Sequence, residues 1–275
     1  MSVETSQLRP GHVISRVIKG GWQLAGDHGE VRRTEAIADM EAFLDAGITT
    51  FDCADIYTGV EEMIGHFIAD IRNRRGAEVA DRVVVHTKLV PDLGRLADIR
   101  PDEVEAIVDR SLRRLQIDRI PLVQFFWWDM ATGNAVDALQ VLKECQKKGK
   151  IANLGVTNWD TPVMDRFCDA GFDIVSAQVQ YSLLDRRPAG GFSDWTERRN
   201  VQILAYGTLA GGFLTEAWLG RPDPGFDFEN RSLVKYRLII EEFGPWDLFQ
   251  ELLRTLGTIG DKHGVSLASV ATRWV

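Results

Sequence analysis

Cysteine is scarce in this sequence, and long apolar runs are absent from it. The three cysteines, Cys53, Cys145 and Cys168, are odd in number, widely separated and without the spacing of metal ligands. This usage indicates reduced thiols and a cytoplasmic location rather than a disulfide framework or a metal site. No stretch of 18 apolar residues occurs, and residues 1–13 hold no apolar signal segment. We therefore expect neither a membrane span nor secretion.

Positive charge is also in short supply. The chain has 40 acidic residues against 32 lysines and arginines, which gives a net charge of −8 and a pI of about 5.2. Nucleic-acid binding needs a basic face, so this balance argues against nucleic acid as a partner. A phosphate-bearing cofactor stays compatible with the composition, because a few local cations are enough to hold it.

What the sequence does contain is a regular alternation of strands and helices. Runs of β-branched and aromatic residues predict strands over 13–21, 48–51, 82–89, 122–127, 151–156, 174–180 and 201–206. Apolar residues at helical spacing predict helices over 32–46, 60–74, 136–148, 161–170, 247–263 and 267–275, and one more that begins at Pro101. Seven such repeats in one direction predict an α/β fold, a parallel (β/α)8 TIM barrel, which is a fold of this size.

The predicted domain organisation is simple. Residues 1–12 are expected to form an N-terminal tail, and residues 13–275 a single domain without low-complexity segments. The segment 207–231 interrupts the repeat, and a Gly- and Pro-bearing connection of this length suggests a functional loop. Only helices are predicted after it. The last strand of the barrel and its helix are therefore expected to be missing from this chain.

Polar residues follow the second and third predicted strands. Asp52 ends the first of these, Tyr57 lies in the loop after it, and Lys88 closes the apolar strand 82–89. A parallel barrel holds its chemistry at the carboxyl ends of its strands. Taken singly, Asp52 suits a turn, Tyr57 suits packing and Lys88 suits the surface. Together, at successive strand ends, they predict one catalytic group.

These residues stand in stretches that resemble the aldo-keto reductase family. The stretches are GWQL at 21–24, FDCADIY at 51–57, HTK at 86–88, GVTNW at 155–159, AQVQYSLLDR at 177–186, AYGTLAGGFL at 205–214 and GVSLASVATRWV at 264–275. Each motif is weak alone, but their order and spacing make a strong combined signal over about residues 17–275. The resemblance implies an NAD(P)H-dependent oxidoreductase that reduces aldehyde or ketone groups of small molecules.

The resemblance also implies a role for each site residue. By position, Tyr57 is the proton donor, Lys88 its partner and Asp52 the carboxylate behind the lysine. A free tyrosine has a pKa of about 10, and we expect the ammonium of Lys88 to lower it toward neutrality. NADP(H) is the implied cofactor, with NAD as an alternative. The residues implied in cofactor binding are Gly21, Trp22, Thr157, Asn158, Gln178, Tyr206, Gly207, Leu209 and Gly211.

Within that set, the resemblance gives Thr157, Asn158 and Gln178 to the nicotinamide carboxamide and Tyr206 to the face of the ring. The loop 207–214 would pass along the pyrophosphate, where glycines permit close approach of the backbone. A plainer interpretation stands beside this one, because Thr157 and Asn158 also suit a helix N-cap.

One residue departs from the family pattern. The family has a catalytic histidine at the end of its fourth strand, and the aligned stretch PLVQFFWWD, 121–129, carries Phe126 there. Phenylalanine donates no hydrogen bond, and loss of one such donor costs about 10²–10³-fold in turnover. His86 lies two residues before Lys88, hence on the same strand face. It is either a substitute donor or, as we favour, a buried histidine one layer below the site.

The ending is the second departure, since the implied eighth strand, 2′-phosphate loop and last helix would lie beyond Val275. Either a truncated gene model or a genuinely short protein accounts for it. Two functions follow from the sequence, an attenuated reductase and a non-catalytic relative that senses a nucleotide or binds a partner. Trp22 and Trp128 suit either the core and rim or an apolar substrate pocket.

Overall fold

The computed structural model describes residues 3–26, 29, 31–228 and 230–275. The strands are β1 Thr5–Arg9, β2 His12–Ser15, β3 Ile18–Gly20, β4 Thr50–Asp52, β5 Val84–Leu89, β6 Ile120–Phe125, β7 Ile151–Thr157, β8 Ile174–Gln180 and β9 Gln202–Tyr206. The α-helices are α1 Arg33–Asp45, α2 Val60–Arg75, α3 Ala77–Ala80, α4 Pro101–Leu115, α5 Ala135–Lys147, α6 Thr161–Asp169, α7 Gly191–Arg199, α8 Arg231–Phe243, α9 Trp246–His263 and α10 Leu267–Trp274.

The strands and helices alternate as the sequence predicts. In the described residues, β3 to β9 form one seven-stranded sheet in chain order. The registers of β3 through β7 are parallel, so their carboxyl ends lie at one edge. Strand 174–180 is confirmed to the residue, and the other boundaries shift by a few residues. No strand follows Tyr206 in the part of the chain that the structure describes.

The N-terminus differs from the prediction. Where a tail and one strand were expected, β1 and β2 form an antiparallel hairpin that turns at Gly11, which has a φ of 81°. The first two residues of the predicted tail lie outside the described residues. The predicted strand 13–21 is divided between β2 and β3. Ser15 is fully buried and its Oγ accepts hydrogen bonds from the amides of Thr49 and Thr50, at 3.1 Å each, which ties the hairpin to β4.

The chain divides into two compact units, Met1–Ala177 with Asn200–Gln202 and Gln178–Arg199 with Ile203–Val275. The first unit holds β1 to β7 and α1 to α6. Its core is built from side chains with almost no exposure, since Phe51, Phe67, Leu115 and Phe125 are each 0–1% exposed. Apolar burial on this scale is the main source of stability in such a unit.

The second unit has an apolar core of its own. Phe213, Ile240, Phe249 and Leu253 are fully buried in it. Helix α8 supplies Ile240, and the sequence prediction missed this helix by treating its start as the end of a long loop. The segment that follows Tyr206 instead contains two short 3-10 turns, Ala210–Gly212 and Glu216–Trp218.

Membrane spans and metal clusters are both absent from the residues described. No helix there combines the length and the apolarity needed to cross a membrane. In the same part of the chain, no group of three or more His, Cys, Asp and Glu side chains is arranged to hold a metal ion. The three cysteines are free thiols, and Cys53 and Cys145 are buried.

Candidate active site

The centre of the site is an ion pair between neighbouring strands. Lys88 Nζ lies 2.5 Å from Asp52 Oδ2, and the two side chains are only 6% and 13% exposed. Lys88 also donates to the carbonyl of Cys53 at 2.9 Å. Asp52 ends β4 and Lys88 lies near the end of β5, so the parallel register brings them to one edge of the sheet. This proximity is the one that the sequence predicts.

Two opposing effects set the charge of Lys88. Burial lowers the pKa of the ammonium, because the charged form loses its hydration. The charges of Asp52 and Tyr57 and the hydrogen bond to Asp52 raise it, and together they leave the pKa of Lys88 above its ordinary value. Lys88 is therefore a fixed positive charge at neutral pH.

Tyr57 lies beside that charge. Lys88 Nζ is 5.1 Å from the centre of the Tyr57 ring. The ring of Trp22 packs edge-on against the same ring, with ring centres 5.0 Å apart. Burial raises the pKa of Tyr57, while the charge of Lys88 and hydrogen bonding to it act in the opposite direction. The net shift is upward. The prediction that Lys88 brings this pKa below its ordinary value is therefore wrong, because burial outweighs the ammonium.

The loop that carries Tyr57 is anchored by Asp55. The amide of Asp55 donates to the carbonyl of Lys88 at 3.2 Å, and Oδ1 of Asp55 accepts from the amide of Val90 at 3.0 Å. Arg110 reaches Asp55 Oδ2 at 3.3 Å, and Arg114 donates to its carbonyl at 2.9 Å. Burial raises the pKa of Asp55 to about 7, against the Val90 hydrogen bond and both arginines. The two bonds on either side of residue 89 hold the Tyr57 loop against the Lys88 strand.

Glu61 lies in the first turn of α2 and is fully buried. It accepts from Thr87 Oγ1 at 2.7 Å and from Arg114 at 3.3 Å. Glu61 and Arg114 are 53 positions apart in the sequence, so local periodicity could not reveal that they pair.

Gln124 is a site residue that sequence reasoning missed. It lies on β6, is fully buried, and its Nε2 donates to Asp52 Oδ1 at 2.7 Å. Asp52 is therefore held through both carboxylate oxygens, by Lys88 on one and by Gln124 on the other. A glutamine within an otherwise apolar strand was the available signal, and the same signal marks Gln178.

Phe126 follows β6 at the position of the family histidine. Its amide donates to the carbonyl of Leu89 at 3.0 Å, which places its backbone beside the end of β5. Its ring packs edge-on against Trp128, with centres 4.9 Å apart. Trp128 is 46% exposed and donates to the carbonyl of Pro91 at 2.7 Å. The strand end is thus aromatic, and Phe126 supplies no side-chain hydrogen bond.

His86 lies one layer below Lys88, as we favoured. It is fully buried, and its Nε2 is 3.2 Å from Nε2 of His12 on the hairpin. Nδ1 of His12 in turn lies 2.9 Å from Nδ2 of Asn153. Burial, helped by His12 and Lys88, holds the pKa of His86 well below its ordinary value. His12 of the hairpin therefore links His86 on β5 to Asn153 on β7.

The predicted cofactor residues of the first unit have distinct surroundings. Gly21 donates to the carbonyl of Asp52 at 2.7 Å, and a Cβ on it would lie 2.9 Å from that oxygen, so the close approach requires glycine. Trp22 is 37% exposed. Thr157 ends β7 with its Oγ1 buried and unpartnered among the described residues. Asn158 follows with a φ of 59°, a conformation that asparagine tolerates better than most residues.

The remaining predicted residues belong to the second unit. Gln178 is 7% exposed, and the amide of Tyr181 donates to the carbonyl of Tyr206 at 3.1 Å. The carbonyl of Leu209 accepts from the amides of residues 212 and 214 in a tight turn. Gly207 and Gly211 have φ values of 69° and 66°.

The ring of Tyr236, from α8, lies against both of these glycines. A Cβ on Gly207 or on Gly211 would lie 2.5 Å from the nearest atom of Tyr236. Both positions therefore require glycine for a packing reason that the sequence did not reveal. Nζ of the adjacent Lys235 lies 4.8 Å from the centre of the Tyr206 ring.

Comparison with known proteins shows the class to which this fold belongs. The family model described as "Aldo/keto reductase family" matches residues 16–275. The chain belongs to the aldo/keto reductase family. Its seven parallel strands are those of the family's (β/α)8 barrel.

Individual relatives match between about two thirds of the chain and nearly all of it. The chain is 29% identical to the aldo-keto reductase YhdN of Bacillus subtilis, over 98% of this chain and 80% of that protein. It is 29% identical to the Schizosaccharomyces pombe aldo-keto reductase yakc, whose name specifies NADP(+), over 68% of this chain and 56% of that protein. The solved glycerol dehydrogenase from Gluconobacter oxydans superposes with a TM-score of 0.77 at 26% identity, covering 99% of this chain and 82% of that one.

Proposed function

We propose that this protein is an NADPH-dependent oxidoreductase that reduces aldehyde or ketone groups of small molecules. The observation that carries the proposal is the buried ion pair of Lys88 and Asp52 beside the Tyr57 ring. A buried lysine needs a paired charge, and Asp52 supplies that charge here. The ammonium held in this way lies beside the ring of Tyr57. Membership in the aldo/keto reductase family supports the same class of reaction.

In this mechanism Tyr57 is the acid. Because burial raises its pKa, the hydroxyl is protonated at neutral pH and ready to give its proton to the carbonyl oxygen of the substrate. The ammonium of Lys88 then stabilises the phenolate that remains. Asp52 keeps that ammonium charged and oriented. The raised pKa of Tyr57 keeps the proton on the hydroxyl before the transfer, and the ammonium of Lys88 stabilises the phenolate after it.

NADP(H) is the proposed cofactor, with NAD as the alternative, and it supplies the hydride. The family and the NADP(+)-named relative support this choice. The buried Oγ1 of Thr157, unpartnered among the described residues, fits a hydrogen bond to the nicotinamide carboxamide. Asn158 and Gln178 are proposed for the same group, Tyr206 for the ring face, and Gly21, Trp22, Gly207, Leu209 and Gly211 for the remaining contacts.

Phe126 attenuates the proposed activity. A histidine there would donate a hydrogen bond to the substrate oxygen, whereas the Phe126 ring packs edge-on against Trp128 and donates none. This same observation favours a second candidate function, a non-catalytic relative that binds a nucleotide or a partner. The two candidates share the fold and differ in whether proton transfer occurs.

A cytoplasmic location and a single oxidoreductase domain over 13–275, preceded by a short N-terminal segment, complete the proposal. The reduced state of the three cysteines and the acidic balance support that location and argue against nucleic acid as a partner.

Replacement of Tyr57 tests the mechanism most directly. We expect Tyr57→Phe to lower the turnover of a nitrobenzaldehyde with NADPH by about 10²–10⁴-fold, because the proton donor is gone. Quenching of tryptophan fluorescence by NADPH should persist. Tyr181→Phe is the matched control, since that tyrosine packs on Trp274. Unchanged turnover in Tyr57→Phe would rule out the assigned acid.

Restoring the family histidine separates the two candidate functions. We expect Phe126→His to raise turnover by about 10²–10³-fold, the contribution of one preorganised donor. Phe226→His, at a residue 41% exposed, is the control and should leave turnover unchanged. If Phe126→His folds, binds NADPH and gains nothing, the site has a duty other than carbonyl reduction.

A further inference from the structure

Gln124 sits where it can control the catalytic carboxylate. Strand β6 pairs with β5 so that Gln124 lies opposite Lys88, and the side chain reaches across β5 to Asp52 on β4. The Nε2 to Oδ1 distance is 2.7 Å. A carboxylate only accepts hydrogen bonds, so the amide nitrogen must face Asp52. The orientation of this glutamine is thereby fixed.

The two oxygens of Asp52 have separate partners. Oδ1 accepts from Gln124 at 2.7 Å, and Oδ2 meets Lys88 Nζ at 2.5 Å. The first partner comes from β6 and the second from β5. Two donors on different strands fix the plane of a carboxylate that a single contact would leave free to rotate.

Packing alone does not account for a glutamine at this position. The side chain is fully buried, and its Oε1 has no hydrogen-bond partner among the described residues. A buried polar atom without a partner is unfavourable, and a leucine or methionine of similar volume would avoid it. Among the described residues this side chain makes one hydrogen bond, to Asp52, and that bond is the reason for an amide at this position.

We infer that Gln124 is a positioning residue for the reduction. It fixes Asp52 so that the other carboxylate oxygen holds the Lys88 ammonium beside Tyr57. This inference rests on the proposed function, and it assigns a role to a residue that acts through Asp52 rather than on the substrate. In the described part of the chain, charged or titratable groups that interact with Asp52 include Lys88, Tyr57 and Cys53.

Gln124→Met tests the inference by removing the donor at nearly constant volume. The carboxylate of Asp52 then keeps Lys88 on one oxygen and loses the donor that fixes its plane through the other. We expect kcat to fall about 10-fold at neutral pH, while the KM for NADPH changes less than about 3-fold.

Gln124→Glu should make the activity depend on the protonation of the introduced carboxyl group. Two carboxyl groups in contact cannot both ionise easily, so the pair shares a proton. When the introduced carboxyl group is protonated it still donates to Asp52, and when it is ionised it repels Asp52. We therefore expect the activity of this variant to rise as the pH falls toward about 5. A merely structural role predicts the same loss at every pH in Gln124→Glu, and that result overturns the inference.

The matched control is a second glutamine–carboxylate pair. Gln140 Nε2 donates to Glu144 Oε1 at 2.9 Å on the exposed face of α5. Gln140→Met and Gln140→Glu should reproduce the wild-type pH profile. A change in either control equal to that of the matching Gln124 variant also overturns the inference.

A measurement without activity separates this inference from the proposed function. The destabilisation caused by Gln124→Glu, measured by denaturant unfolding, should grow from about pH 5 to about pH 8. It should shrink at least by half in an Asp52→Asn background, because the second carboxylate is gone. If the wild-type protein reduces no carbonyl, the proposed function fails while this coupling still stands. Additive effects of the two substitutions overturn the coupling, whatever the activity.

Discussion

Lys88 and His86 lie two residues apart on one face of β5, and both are buried, yet one is charged and the other is neutral. Burial lowers the pKa of both side chains. Lys88 meets Asp52, whose charge and hydrogen bond reverse the effect. His86 meets His12, whose influence adds to the effect of burial. The comparison teaches that the partner, and not the depth of burial, decides which layer of this strand carries charge.

The carbonyl of Pro121 determines which groups donate and which accept among Asn153, His12 and His86 below the site. Nδ2 of Asn153 lies 3.2 Å from the carbonyl of Pro121, which only accepts, so the amide nitrogen is the donor there and toward His12 Nδ1. His12 must then carry its proton on Nε2 and donate to Nε2 of His86. That assignment leaves His86 neutral with its proton on Nδ1. The lower layer is thus a chain of neutral donors and acceptors, in contrast to the ion pair above it.

Removing the carboxylate of Asp52 should have the largest effect on the contrast between charged Lys88 and neutral His86. Asp52→Asn leaves the Lys88 ammonium buried without its counter-charge, and we expect a loss of about 3–5 kcal/mol in the free energy of unfolding at neutral pH. The loss should shrink at higher pH, because an unpaired Lys88 can shed its proton. Denaturant unfolding between about pH 7 and about pH 10 measures both effects.

Glu105→Gln is the control for that experiment. Glu105 pairs with Lys148 and Lys150 at the surface, at 2.7 and 2.8 Å. Exposed pairs contribute less than about 1 kcal/mol, so this variant should remain close to the wild-type protein. Equal losses of unfolding free energy for Asp52→Asn and Glu105→Gln would mean that burial does not increase the contribution of the Asp52–Lys88 pair to stability.

The contrast on β5 also shows how far the sequence can be interpreted. The strand itself, and the meeting of Lys88 with Asp52, were predictable because strand ends in a parallel sheet share one edge. The net pKa of Tyr57 was not, since it depends on how much water the folded chain excludes. The reach of Gln124 to Asp52 was equally hidden, because it joins residues 72 positions apart across an intervening strand.

Elsewhere the failures have other causes. The hairpin of β1 and β2 was missed because its strands are short and one of them alternates buried and exposed residues irregularly. Helix α8 was missed although Tyr236 and Ile240, four residues apart, are both buried. That spacing was available in the sequence, and the preceding glycines and prolines concealed it. The glycines at 207 and 211 were predicted to matter, but their neighbour Tyr236 lies in the helix that was overlooked.

Replacing His86 tests the neutral layer of β5, and we expect a smaller change in unfolding free energy than for Asp52→Asn. A histidine whose folded pKa is lowered binds its proton more readily when the chain unfolds. Its contribution to stability is therefore present above about pH 6.5 and is lost as the pH falls below that value. For His86 this loss amounts to about 1.4 kcal/mol between about pH 7.5 and about pH 5.5.

His86→Gln removes the titration and keeps an oxygen that accepts from His12. We expect the decline in unfolding free energy over that pH range to become smaller by about 1 kcal/mol. His66→Gln, at an exposed position on α2, should leave the decline unchanged. If the unfolding free energy of His86→Gln declines as steeply as that of the wild-type protein, His86 is charged in the folded state. The layers of His86 and Lys88 would then not differ in charge.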